Sequence, residues 1–213
     1  MNENKTLLLV GATGLVGRHV LQLALDAPRI GAVVAPARRE LAAHAKLQSP
    51  LVDYDHLDDS APWWRADAVI CTLGTTIRKA GSQQAFYLVD HDYPLAVAKL
   101  AHKHGTPTYV LTSAIGANIQ SRFFYSRVKG ELENDLRQIG FPSLTVVRPS
   151  VIGGKREEFR LGERVVLGAL SLAGPLLPRR WRVNQASRIA STLLDAALNA
   201  PPGVHVIGSE AMT

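Results

Sequence analysis

Cysteine is almost missing from this 213-residue chain, with Cys71 as its single example. A disulfide framework and any multi-cysteine zinc site are therefore excluded. The apolar run Asp67-Ala-Val-Ile-Cys-Thr-Leu73 makes that thiol a buried, inert one. Aromatic residues are sparse at 6%, and no basic strand studded with them accompanies the formal net charge of +6. Nucleic acid is thus not an expected partner, whereas an anionic small ligand suits the charge equally well. Long hydrophobic runs are absent too. The longest uncharged stretch, Val165 to Pro178, is shorter than the roughly 20 residues of a membrane span and reads as a buried helix or a lid. The segment before Thr6 leaves no room for a targeting peptide, which predicts a cytoplasmic protein. No Gly-x-Ser-x-Gly elbow and no Gly-Lys-Ser/Thr after the first strand occur, against a hydrolase and a P-loop. His102 and His104 stand two apart, on different helical faces, so no metal is expected.

What is present is an alternation of short apolar runs with longer helical patterns. Strands are predicted at Thr6–Val10, Ala32–Ala35, Leu51–Val52, Ala68–Thr72, Thr108–Thr112, Leu144–Val147 and Val204–Ile207. Helices are predicted over Leu15–Leu25, Gln84–His104, Arg122–Ile139 and Ser187–Leu198. Strands separated by helices imply right-handed crossovers and a parallel sheet covered on both faces. The expected fold class is α/β, a Rossmann-like doubly wound parallel sheet in a single domain spanning residues 1–213. A short substrate or lid region is expected at about 153–182.

The strongest local signal is the loop Gly11-Ala12-Thr13-Gly14-Leu15-Val16-Gly17, between the first strand and the first helix. Gly11 allows the tight turn, Gly14 the close approach of a pyrophosphate, and Gly17 the packing of helix on sheet. Free amides and the helix dipole attract phosphates there. Past the second strand, an acidic residue would select NAD, whereas this chain has Arg38 and Arg39. Their planar, multi-donor guanidiniums suit a 2′-phosphate, so the expected cofactor is NADP(H).

Tyr125 and Lys129 stand four apart, on one face of a helix, and Ser113 ends the fifth strand. In chemical terms Tyr125 passes a proton to or from a substrate oxygen, and Lys129 favours its phenolate and holds the nicotinamide ribose. Ser113 orients the substrate.

Several longer strings resemble a known family. They are Cys71-Thr-Leu-Gly-Thr-Thr76 with Lys79-Ala-Gly81, Val89-Asp-His-Asp-Tyr93, Tyr125-Ser-Arg-Val-Lys-Gly-Glu-Leu-Glu133 and Val147-Arg-Pro-Ser-Val151. Together with the glycine spacing, they resemble the Tat-interactive-protein-like atypical short-chain dehydrogenase/reductases, which are related to epimerases and dehydratases. That resemblance implies that Leu73, Gly74 and Thr75 line the cofactor and that Pro149, Ser150 and Val151 border the nicotinamide. It also implies that Asp53 meets the adenine edge, and the twelve-residue step from Ser113 to Tyr125 fits the superfamily's pair. The family's human member is described both as an oxidoreductase and as a regulatory protein. Two functions follow as expectations: an NADP(H)-dependent oxidoreductase of an unspecified small carbonyl or alcohol, or a non-catalytic NADPH sensor. A homodimer is allowed.

Overall fold

The computed structural model describes residues 4–153 and 178–213. Strand β1 (Lys5–Val10) alternates its side chains between two apolar cores, as the period of two dictates. Leu7 and Leu9 enter one core, and Leu8 and Val10 the other. Around β1 lie β2 (Ile30–Val34), β3 (Leu47–Gln48), β4 (Ala68–Cys71), β5 (Thr108–Thr112), β6 (Ser143–Arg148) and β9 (Gly203–Gly208). Among the described residues they form one parallel sheet in the order β3-β2-β1-β4-β5-β6-β9. The strand order reverses between β1 and β4, which opens a crevice at their carboxyl ends.

Helix α1 (Leu15–Asp26) buries Val16, Val20 and Ala24 at four-residue steps. It shares its core with Ile189 and Leu193 of α6 (Ala186–Asn199). The opposite core holds Val97 and Ala101 of α4 (Tyr93–Lys103), Leu132 and Leu136 of α5 (Phe124–Ile139), and Trp64. Each such large side chain contributes about 1.5–3 kcal/mol when fully buried. Trp64 adds a hydrogen bond from Nε1 to the Asp58 carbonyl at 2.7 Å. Cys71 sits fully buried at the end of β4, and desolvation pushes its thiol pKa up.

Two expectations need correction, and one element was not expected. The third strand is Leu47–Gln48, not Leu51–Val52. Pro50 has no N–H to donate and interrupts the ladder, leaving Leu51 with a single bridge to Ala37. The helix expected over Gln84–His104 is three pieces: α3 (Gln83–Tyr87), a wider π-type turn over Leu88–Asp92, and α4. Pro94 lies four residues after Asp90, cannot donate to its carbonyl, and crowds it, so the turn loosens there. A short α2 (Ile77–Ala80), not foreseen, is capped by Thr76 Oγ1, which accepts from the Lys79 amide at 3.2 Å.

The expected lid at 153–182 lies mostly outside the described residues, as does most of Val165–Pro178. At its borders, β7 (Ile152–Gly153) pairs in parallel with β8 (Asn184–Gln185). Among the described residues, no helix is long and apolar enough to cross a membrane.

Candidate functional site

The predicted site residues lie at or just past the carboxyl ends of parallel strands, or at the start of α5. Gly11 to Gly17 follow β1, Arg38 and Arg39 follow β2, and Asp53 follows β3. Leu73, Gly74 and Thr75 follow β4, Ser113 follows β5, and Pro149, Ser150 and Val151 follow β6. Tyr125 and Lys129 project from the first two turns of α5.

The glycine loop is tight for reasons that can be read atom by atom. Gly11 has φ of +90°, and a Cβ there would stand 2.8 Å from the Leu73 amide nitrogen. At Gly17 a Cβ would fall 2.1 Å from the Gly11 carbonyl oxygen. Thr72 Oγ1 stands 3.1 Å from the carbonyl oxygens of both Val10 and Gly11 and donates across the crevice from β4 to the loop. Gly14 begins α1 with no side-chain cap, so the first-turn amides point outward for an anion. Side chains at Gly11 and Gly17 would strike the loop's own backbone and the start of the β4 loop, so glycine keeps this turn tight and its amides open to an anion of the pyrophosphate kind.

A buried ion pair forms the floor. Lys129 Nζ lies 2.8 Å from Asp90 Oδ1, with side chains only 4% and 1% exposed. Asp90 Oδ2 accepts from the Thr75 amide at 2.7 Å. A Cβ on Gly74 would stand 3.3 Å from Asp90 Oδ1 and 3.8 Å from Lys129 Nζ. The residues after β4 and the lysine of α5 are thus brought together. Burial opposes the charge on Lys129, but the carboxylate of Asp90 and Tyr125 outweigh it, and the lysine pKa is raised.

Tyr125 packs its ring on Phe86, with centroids 5.8 Å apart, while 43% of the residue stays exposed. Desolvation raises its pKa; the Lys129 ammonium pulls it down, and Asp90 pushes it up again. This reverses the expected fall toward neutrality. The main cause is burial of the phenol, and Asp90 adds to it by offsetting part of the ammonium's pull toward a phenolate.

Other expected residues have local partners. Ser113 Oγ donates to buried Glu133 Oε1 at 2.6 Å, and Glu133 also accepts from Arg148 Nε at 2.9 Å and Arg137 at 3.2 Å. The Ser150 amide donates to Asn184 Oδ1 at 2.8 Å, and its hydroxyl donates to the Arg182 carbonyl. Asp53 accepts from the Asp55 amide and meets His56 Nδ1, both at 3.0 Å. Arg38 and Arg39 are exposed and make no hydrogen bond or ion pair among the described residues.

Sequence reasoning assigned no role to Asp90, Glu133 or Asn184. The first two lie inside strings that carried the family resemblance, so a signal existed. Asn184 is fully buried and donates to the Ser209 carbonyl at 3.0 Å, a pairing that nothing in its neighbours announces.

Comparison with known proteins bears on this geometry. A family model described as NAD(P)H-binding matches residues 11–166. Protein fmp52, mitochondrial, of Emericella nidulans is 35% identical, covering 95% of this chain and 91% of its own length. Protein HTATIP2 of Rattus norvegicus is 36% identical over 92% of this chain and 81% of its own. The solved structure of MoeE5 in complex with UDP-glucose and NAD superposes with a TM-score of 0.72 at 18% identity, over 95% of this chain and 76% of that one. Its likeness is one of fold. The mitochondrial designation of the fungal relatives overturns the cytoplasmic expectation. That expectation rested on the short run before the first strand, which is a weak guide to compartment.

Proposed function

The chain belongs to the NAD(P)H-binding family, and from that premise we propose that it is an oxidoreductase of a small carbonyl or alcohol that prefers NADP(H). Ser113, Tyr125 and Lys129 are its working set. The observation that carries this reading is the Lys129–Asp90 pair set directly against Gly74 and Thr75, one strand away from the glycine cradle.

In this reading Gly11, Ala12, Thr13, Gly14, Leu15, Val16 and Gly17 hold the pyrophosphate through backbone amides. Leu73, Gly74 and Thr75 line the middle of the cofactor, and Pro149, Ser150 and Val151 border its far end. Arg38 and Arg39 hold the 2′-phosphate, and Asp53 borders the adenine. When bound, the nicotinamide supplies or accepts the hydride. Tyr125 gives a proton to the substrate oxygen or takes one from it, and Lys129 holds the charge beside it.

NADPH should bind more tightly than NADH by calorimetry at low ionic strength. Arg38→Ser with Arg39→Ser should lower NADPH affinity about tenfold, the low end of what charged hydrogen bonds contribute, because both side chains are exposed. NADH affinity should hardly move. Equal binding of both cofactors by the unaltered protein would reject the preference.

A second reading has one observation in its favour. The Ser113 hydroxyl already donates its proton to Glu133, so it is not free to donate to a substrate carbonyl. A protein that senses NADPH without turning anything over needs no such donor. Cofactor fluorescence followed across a panel of aldehydes and ketones separates the two. Turnover by the unaltered protein, lost in Tyr125→Phe with NADPH binding retained, supports the enzyme. NADPH binding with no turnover of any carbonyl supports the sensor.

A further inference from the structure

We propose that Asp90 is a positioning residue of this site, which anchors the Lys129 ammonium from a widened helical turn and withholds its charge from a phenolate at Tyr125. The inference rests on the oxidoreductase reading, though the arrangement itself does not depend on a substrate.

Asp90 is 1% exposed and occupies the π-type turn Leu88–Asp92. Such turns arise where the regular helical ladder is interrupted, and they are frequent at functional sites. Here the interruption is tied to Pro94, and the result is a carboxylate aimed inward from a helix otherwise packed by apolar side chains. Its two oxygens are divided between elements: Oδ1 takes the Lys129 ammonium, and Oδ2 takes the Thr75 amide. The neighbouring titratable side chains point elsewhere. His91 meets Asp92 at 2.8 Å and Asp135 at 3.1 Å.

The groups facing Asp90 are few. Among the described residues they are the Lys129 ammonium from α5 and the Thr75 amide and Gly74 after β4, with Tyr125 and the Cys71 thiol near enough to feel its charge. Burial and Asp90 both raise the thiol pKa, so the thiol is neutral and adds no charge. A carboxylate beside an ammonium leaves little net charge to favour a phenolate. Burial of the phenol acts in the same direction and more strongly, so Tyr125 keeps its proton at neutral pH. A protonated tyrosine donates to an oxygen that is gaining negative charge, and that is the demand of carbonyl reduction. Its proton is replaced from solvent through the exposed side of the ring. Alcohol oxidation needs the phenolate as base and is the disfavoured direction at that pH.

The test begins without cofactor or substrate. Ultraviolet phenolate absorbance is titrated in the unaltered protein and in Asp90→Asn, each minus its Tyr125→Phe counterpart. The subtraction removes the other tyrosines, of which Tyr87 and Tyr93 are both pushed up to about 12. Removing a negative charge eases proton loss from tyrosine and lysine alike, so the Tyr125 step should move to lower pH in Asp90→Asn. With carbonyl substrate, the alkaline limb of the kcat profile should move the same way. A purely structural role would move neither the absorbance step nor that limb.

If Asp90→Asn does not fold, the contrast is read in a Lys129→Met background, where adding Asp90→Asn removes the remaining buried charge. The Tyr125 step should again drop. A step that stays in place or rises, in whichever background folds, overturns the proposal. Failure of the unaltered protein to bind NADPH would instead overturn the functional reading, leaving the titration to judge Asp90 by itself.

Discussion

Gly17→Ala should abolish NADPH binding and lower the melting temperature. The added methyl would stand 2.1 Å from the Gly11 carbonyl oxygen, 2.8 Å from the Gly11 carbonyl carbon and 2.8 Å from Thr72 Oγ1. Two of those atoms are backbone, and the third is hydrogen-bonded to the same loop, so none can swing aside like a flexible side chain. Either α1 moves off the sheet or the Gly11 turn is displaced, and both changes spoil the amide cradle. Forced overpacking costs about 1–3 kcal/mol, which is roughly 2–12 °C for a chain of this size. Gly14→Ala is the informative partner. Its Cβ would lie 3.3 Å from the Gly11 oxygen, a contact that a small adjustment relieves. That variant should melt near the unaltered protein and still bind NADPH less well, because in the proposed reading the methyl lies where the pyrophosphate approaches. Thermal denaturation with cofactor fluorescence reads both quantities. Normal binding by Gly17→Ala would refute the cradle.

Glu133→Ala should destabilise the fold by about 3 kcal/mol, or roughly 6–12 °C in melting temperature. Glu133 is 1% exposed, and its two oxygens accept from Ser113, Arg137 and both arms of Arg148. Truncation leaves two guanidiniums facing each other and a serine hydroxyl without its acceptor. Arg148 and Arg137 are 30% and 38% exposed, so water takes up part of the loss, and the expected effect sits at the lower end for a broken buried pair. A loss under about 1 kcal/mol would mean that solvent already screens the cluster. The same change frees Ser113. If the hydroxyl is needed as a donor to substrate, Glu133→Ala at a temperature where it is folded should hold substrate better, not worse.

Much of the framework was legible in the sequence, because it depends on local rules. Gly11, Gly14 and Gly17 at the join of a strand and a helix announce a backbone cradle, and the steps from Val128 to Leu132 and Leu136 announce a buried helical face. What stayed hidden depends on contacts between distant segments. Asp90 and Glu133 are charged residues within helical patterns, where charge ordinarily marks the solvent side. Each is buried only because a cation from another element arrives beside it, Lys129 in one case and Arg148 in the other. The fate of Ser113 follows from Glu133, and the direction of the Tyr125 shift from burial with Asp90 adding to it, so both escaped a reading of spacing alone. Pro50 and Pro94 were visible as residues, yet their effects on a two-residue strand and a widened turn depend on which neighbour each meets.

The position of Cys71 carries a consequence of a different kind. The chain's sole sulfhydryl is sealed beneath neighbouring strands and held in its uncharged form, while thiolate is the species that oxidants and electrophiles attack. While the sheet stays closed, this thiol is indifferent to the peroxide and glutathione balance around it. Whatever the protein does with a redox coenzyme, it does without an exposed cysteine as a thiol switch.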